Sequence, residues 1–190
     1  NDQGKVKYRN PTPVRQKLSS ISQTLALPSI CMLCNQFHKG LSAVCCHCIE
    51  FIKPLGSACR HCAYPLPDEE YLVCGQCIKK PPYFDNALIA YVFEEPLRSL
   101  LHRFKYYNNL HLCSFLCQLM LDALQKQPVS TTAPCLIPVP MHSKRLRQRG
   151  FNQAAVLTTA LARKLSLPYD LTSCQKIINT APQASLDSEQ

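Results

Sequence analysis

The sequence predicts an α/β protein in which a small cysteine-stapled module precedes a unit of short apolar strands alternating with amphipathic helices. Three observations carry this. Eight of the thirteen cysteines fall in four C-x-x-C pairs between residues 31 and 77. The composition changes at Pro81, from turn formers and cysteine to longer apolar stretches. Beyond that point apolar runs and helical periodicity alternate, the pattern of parallel strands joined by crossover helices.

Residues 1–30 are polar and basic at their start, with Lys5, Lys7, Arg9, Arg15 and Lys17 interrupted by Pro11 and Pro13. They are expected to form a weakly ordered tail. The apolar stretch 21–30 is short, is broken by Ser22, Gln23 and Pro28, and lacks the long apolar region and small-residue cleavage site of a signal peptide. No apolar run is long enough to cross a bilayer. A soluble, cytoplasmic protein without membrane insertion is expected.

Residues 31–80 hold the pairs Cys31/Cys34, Cys45/Cys48, Cys59/Cys62 and Cys74/Cys77. A segment with so few large apolar residues cannot offset its chain entropy unaided, and needs staples. Each C-x-x-C forms a knuckle that aims two sulfurs at one point, and two knuckles complete a tetrahedral four-thiolate site. Sequential pairing closes the shorter loops. It gives Cys31, Cys34, Cys45 and Cys48 to one ion, and Cys59, Cys62, Cys74 and Cys77 to another. The expected metal is zinc, in a closed structural role, because iron–sulfur runs are spaced differently. A redox role for the pairs fits this spacing less well than metal. His47 and His61 lie inside knuckles and are read as spacers. Cys46 is not counted as a ligand. Cys113, Cys117, Cys135 and Cys174 are read as small buried hydrophobes.

The formal charge is +9, of which residues 31–85 contribute nothing. Thiolate formation on two zinc ions would lower the working charge to about +5. That is compatible with a phosphate-bearing partner without requiring one.

In residues 81–190 the run 87–93 is rich in strand formers. Pro96 then opens a helix with Leu97, Leu100, Leu101 and Phe104 on one face, ending at Asn108 and Asn109. A second helix is expected over 110–126, a polar loop over 127–134, a second strand over 135–139 and a third helix over 152–165. Ala155, Val156, Thr159, Ala160 and Ala162 supply the packing face of that third helix. Two strands do not complete a parallel sheet, so the domain is expected to be unfinished at residue 190. Between the second strand and the third helix lies a basic loop with Lys144, Arg145, Arg147 and Arg149. Ligands of open α/β sheets bind beyond the strand ends, and a helix N-terminus offers N–H groups to an anion. Gly150 permits a tight turn, and guanidinium forks suit phosphate oxygens. A phosphate or pyrophosphate site is expected there.

The order of these motifs resembles the ComF family of competence proteins, double-zinc-ribbon proteins with a type I phosphoribosyltransferase-like domain. The resemblance runs from Cys31 onward. It rests on the four knuckles; on Pro82, Tyr83, Phe84 and Asp85; on Pro96, Leu97 and Arg98; and on Phe104, Lys105 and Tyr106. Its most specific part is Pro138, Val139, Pro140, Met141 and His142 with Arg145, Arg149, Gly150, Phe151, Asn152 and Gln153. Thr180, Ala181, Pro182, Gln183 and Leu186 follow. The resemblance implies a double zinc ribbon followed by an incomplete Rossmann-like phosphoribosyltransferase-type domain. It implies phosphoribosyl pyrophosphate with Mg2+ as ligand, and a part in DNA uptake during natural transformation with single-stranded DNA and DNA-uptake proteins as partners. His142, Arg145, Arg149, Gly150, Asn152 and Gln153 would then bind phosphate, and Thr180 and Gln183 would open a flexible loop. The family's motif of paired acids before a Thr-Thr-Gly turn is not in these 190 residues, which contain no Asp-Asp pair. The competing reading is a non-enzymatic zinc-ribbon adaptor that binds nucleic acid through its basic segments.

Overall fold

The computed structural model describes residues 28–68, 70–107, 109–126 and 134–180. The expected tail over 1–27, the loop over 127–133 and Gln183 lie outside the described residues. Strand β1 (Ser29–Ile30) pairs antiparallel with β2 (Phe37–His38), in the register Ser29 opposite His38 and Ile30 opposite Phe37. Two short helices follow, α1 (Cys46–Ile49) and α2 (Gly75–Lys79). Four more complete the order: α3 (Leu97–Tyr106), α4 (Leu112–Lys126), α5 (Ser143–Arg149) and α6 (Gln153–Leu165). Among the described residues no helix is long and apolar enough to cross a membrane.

The helices expected from periodicity are present. In α3, Leu97, Leu100 and Phe104 are buried, one face at helical spacing. In α4, Leu112, Phe115, Leu116, Cys117, Leu119 and Ala123 are buried. Helix α4 packs against α6 and α3. Asn152 caps α6, its Oδ1 accepting the Ala154 N–H at 3.0 Å. This satisfies one of the free donors of the first turn.

The strands are where the structure departs from expectation. Residues 87–93 form no strand. They run extended beside the ribbon with one isolated antiparallel bridge, Pro54 to Tyr91. The Leu55 N–H donates to the Ala90 carbonyl at 3.2 Å, and the Val92 N–H to the Lys53 carbonyl at 3.0 Å. The partner segment carries Pro54, which has no N–H to extend a ladder. Residues 135–139 likewise make one parallel bridge, Leu136 to Tyr169. Pro134, Pro138 and Pro140 limit what that run can donate. The expected parallel sheet is thus reduced, among the described residues, to that single parallel bridge. The two-stranded antiparallel pair β1–β2 is the sheet that forms. The expected basic loop is instead helix α5.

The core joins the two halves of the chain. Cys31, Val44, Cys45 and Ile52 from the ribbon form one buried cluster with Leu97, Leu100, Phe104, Leu112, Phe115, Leu116 and Leu119. Cys59, Cys74 and Cys77 form a separate small cluster, flanked by Cys62, Leu66 and Val73. Further links tie ribbon to helices. Arg103 Nη1 donates to the Met32 carbonyl at 2.6 Å, and Lys53 pairs with Glu94 at 2.7 Å.

Candidate metal centres and anion-binding segment

Each four-cysteine set is built the same way. The first pair forms a turn in which the residue after the second cysteine adopts a left-handed conformation, Asn35 at φ 59° and Ala63 at φ 57°. The Asn35 N–H donates to the Cys31 carbonyl at 2.9 Å, and the Ala63 N–H to the Cys59 carbonyl at 2.8 Å. The second pair opens a helix. Cys45 and Cys74 are the N-cap residues of α1 and α2, and Cys48 and Cys77 lie within those helices.

The sulfurs converge as the sequential pairing requires. Cys31, Cys34, Cys45 and Cys48 place their sulfurs within 4.8 Å of one another, as do Cys59, Cys62, Cys74 and Cys77. Cys34 and Cys45 sulfurs are 3.9 Å apart, and Cys62 and Cys74 sulfurs 3.6 Å. A tetrahedral zinc with Zn–S bonds of ~2.3 Å puts its sulfurs ~3.8 Å apart, so both sets fit the ion. None of the thirteen cysteines is in a disulfide. Both clusters can hold a metal ion, and the donor set and geometry are those of structural zinc.

The protons on these thiols are unevenly held. Burial pushes the Cys31 thiol up, but N–H groups of Cys34, Cys45 and Leu33 aimed at its sulfur outweigh that and lower it to about 6. Cys59 is likewise raised by burial and lowered more by N–H groups of Cys62, Cys74 and His61, to about 6. Burial and hydrogen bonds to neighbouring sulfurs push Cys48 and Cys77 up to about 12. Within each set Cys31 and Cys59 thus give up a proton more readily than Cys48 and Cys77, and binding of a metal ion to four thiolates would release protons.

The other cysteines and the knuckle histidines take no ligand position. Cys46 and His47 are exposed beside the first site. His61 meets the Asp85 carbonyl at 3.0 Å through Nδ1. Cys117 is buried and Cys113 packs on the core, as expected of small hydrophobes. Cys135 is half-buried. Cys174 is exposed, against expectation, because its segment 170–180 lies on the surface.

The expected phosphate residues are held together but divided between two faces. His142 caps α5, its Nδ1 accepting the Lys144 N–H at 3.2 Å. Gly150 closes α5 at φ 80°, and its N–H donates to the Leu146 carbonyl at 2.8 Å. That left-handed position favours glycine and turns the chain directly into α6. Asn152 Nδ2 donates to the Val139 carbonyl at 3.1 Å, fixing α6 to the end of the second apolar run. His142 and Asn152 line a cleft of about 700 Å³, with Pro140, Leu146, Thr172 and Lys176 among its walls. Nearby, Arg145 Nη2 donates to the Thr180 carbonyl at 3.0 Å, and Lys176 Nζ to the Thr180 hydroxyl at 2.9 Å.

Arg149 and Gln153 are committed elsewhere. Gln153 is only 7% exposed, and its Nε2 donates to the Lys105 carbonyl at 3.1 Å. Arg149 lies 4.7 Å over the Tyr106 ring, donates to the Tyr106 hydroxyl at 3.0 Å, and reaches Gln153 Oε1 at 3.4 Å. Both bind the α5–α6 corner to α3. Sequence reasoning did not identify Lys176 and Thr172. Lys176 is an isolated cation with no motif around it, so nothing in the pattern marked it.

Comparison with known proteins agrees with the sequence reading. The chain is 32% identical over 119 residues to competence protein F of Haemophilus influenzae, a match covering 61% of this chain and 52% of that protein. It is 30% identical over 120 residues to the DNA utilization protein YhgH of Salmonella typhi, covering 62% and 53%. YhgH of Escherichia coli strain K12 is 29% identical over 121 residues, with coverage of 62% and 53%. The matches span about half the length of these curated relatives. No family model and no solved structure matches the chain. The resemblance to ComF proteins that the knuckles and the segment 138–153 suggested thus extends to long aligned stretches, and the chain is a homologue of competence protein F and of YhgH.

Proposed function

We propose that this chain serves in DNA uptake or DNA use, with two structural zinc ions holding its ribbon and with a cleft beside α5 and α6 that binds a phosphorylated ligand. The DNA-directed part follows from the names of its relatives, competence protein F and DNA utilization protein YhgH. The observation that carries the ligand-binding part is the cleft itself, where His142, Asn152 and Lys176 converge beside Arg145. Phosphoribosyl pyrophosphate with Mg2+ is the ligand the ComF resemblance implies for it. The proposal for the cleft is one of ligand binding.

Titration calorimetry with pyrophosphate and with phosphoribosyl pyrophosphate, each with and without Mg2+, tests this. Lys176→Ala and Arg145→Ala should each weaken binding by about 1–3 kcal/mol, the value of a charge-assisted hydrogen bond. Heats unchanged in both variants would remove the cleft from the proposal. A second reading, a nucleic-acid-binding adaptor without a small-molecule ligand, is favoured by Arg149 and Gln153. Their side chains hold the fold together instead of facing the cleft.

A further inference from the structure

Helix α3 has an exposed face that neither the metal centres nor the cleft uses. Positions four apart on a helix stack in rows. Two such rows run side by side here, Arg98, His102 and Tyr106, and Ser99, Arg103 and Tyr107. Arg98 and Arg103 therefore lie among the rings of His102, Tyr106 and Tyr107 along a face ~12 Å long, at 1.5 Å per residue. The rings are organised. His102 lies 4.7 Å from Tyr106 and 5.8 Å from Tyr107 by ring centroids. Arg149 from α5 covers Tyr106 at 4.7 Å and donates to its hydroxyl, which fixes that ring from the other element. At the opposite end Arg98 sits 5.5 Å over the Phe93 ring. Tyr107 is 66% exposed. A groove of about 740 Å³ follows this face, lined by Glu95, Arg98, Ser99, His102, Arg103, Tyr107 and Asn109.

The charge balance favours an anion. Arg98 and Arg103 face Glu95 alone among the carboxylates lining the groove, and Glu95 Oε2 is engaged by the Ser99 N–H at 3.3 Å. Glu94 is paired with Lys53. A plain phosphate site would not need exposed rings, and an apolar protein partner would not need two guanidinium groups. Rings interleaved with cations along a groove suit a polymer that offers both flat bases and phosphates, with the bases unpaired so that their faces are free to stack.

We infer that the α3 face binds single-stranded nucleic acid, with Tyr107 and His102 stacking on bases and Arg98 and Arg103 meeting phosphates. This rests on the DNA-directed part of the proposed function and names its contact surface. It is independent of the ligand in the cleft.

The test is fluorescence anisotropy of the zinc-loaded chain with a labelled oligothymidylate, and with a duplex of the same length. Tyr107→Ala should weaken oligothymidylate binding roughly tenfold, the loss of about one stacked base, while Tyr107→Phe should leave it intact. Arg98→Ala should make the salt dependence shallower by about one phosphate contact. Zinc content and helical circular dichroism confirm that each variant is folded. Binding unmoved by both Tyr107→Ala and Arg98→Ala, but weakened by Lys176→Ala, would overturn the α3 assignment and place the DNA in the cleft, leaving the proposed function standing. An equal loss on duplex and single strand would reduce the face to a general basic surface and refute the stacking claim. No binding of either oligonucleotide by the unaltered chain would end both the inference and the DNA-contact part of the proposed function.

Discussion

Replacing one cysteine in each metal cluster should have unequal consequences, although the two clusters look alike. Cys31 is 0% exposed and sits within the cluster that includes Leu97, Leu100 and Phe104 of α3 and Leu112, Phe115, Leu116 and Leu119 of α4. Cys59 is 2% exposed, but among the described residues its cluster adds to its fellow ligands only Leu66 and Val73. Structural zinc contributes roughly 10–16 kcal/mol of apparent binding energy in small fingers, or roughly 2.5–4 kcal/mol per thiolate if shared evenly. A buried serine hydroxyl left without a partner costs about 1–3 kcal/mol more. Cys31→Ser therefore costs about 4–7 kcal/mol, comparable with the whole stability of an ordinary domain, about 5–15 kcal/mol. That cost falls on the helices, because the site and the helices share one core. Cys59→Ser costs a similar amount, but locally. Elemental analysis should find two zinc ions in the parent chain, and each variant should release one of its ions to a lower concentration of chelator than the parent does. Far-ultraviolet circular dichroism should then show helix loss on mild heating for Cys31→Ser, with Cys59→Ser close to the parent. Equal helix loss in the two variants would refute the shared-core argument.

Three further outcomes are expected. Asp170 accepts hydrogen bonds from the Ser173 side chain and from the N–H groups of Thr172 and Ser173, which hold its carboxyl well below the usual carboxylate range. Its folded value is depressed, so its contribution is present above the ordinary aspartate value of about 3.9 and is lost as pH falls through the folded value. Asp170→Ala should lower the urea midpoint at neutral pH, with the gap to the parent closing in strong acid; a gap constant with pH would contradict this. Gly150→Ala has open space for its methyl group but must hold φ at 80°, so a loss of about 1 kcal/mol is expected from strain alone. A stability gain in that variant would count against the left-handed cap. Gln153→Leu removes the donor to the Lys105 carbonyl and one of the acceptors of Arg149 and should cost about 1–3 kcal/mol by chemical denaturation.

Much of the candidate metal site was legible in the sequence because its information is local. A C-x-x-C turn brings its two sulfurs together by itself, and short intervals bring the turns together. The long helices were legible for the same reason, since spacing alone marks the buried faces of α3 and α4. Helix α5 was not, because Leu146 is its one large apolar residue and a run of cations carries no periodicity. A polar residue before Ser143 and a glycine at 150 were the signals that could have bounded it. The strand runs failed for a different reason. Propensity is a property of the run, but a ladder needs a partner with free N–H groups, and Pro54, Pro134 and Pro138 stand where those are needed. The roles of Arg149 and Gln153 depend on Tyr106 and Lys105, 43 and 48 residues away in sequence. Nothing in the segment 138–153 announces those partners, so residues read as ligand contacts also serve to hold α3.

With zinc in the first cysteine cluster as proposed, the core it shares with α3 would make the chain's shape a function of its metal supply. An ion that binds only the folded state stabilises it by mass action. Each tenfold rise in free zinc above the dissociation constant then adds about 1.4 kcal/mol. In this protein that increment reaches past the ribbon, through Cys31 and the Arg103 bond to the Met32 carbonyl, to the helix that displays His102 and Tyr107. A cell short of zinc would accumulate chains whose second ribbon and helices fail separately, the helices failing with the first ion. The surface proposed to meet nucleic acid would then be presented only by chains that had already taken up metal, so zinc availability would set how many working copies a given amount of protein provides.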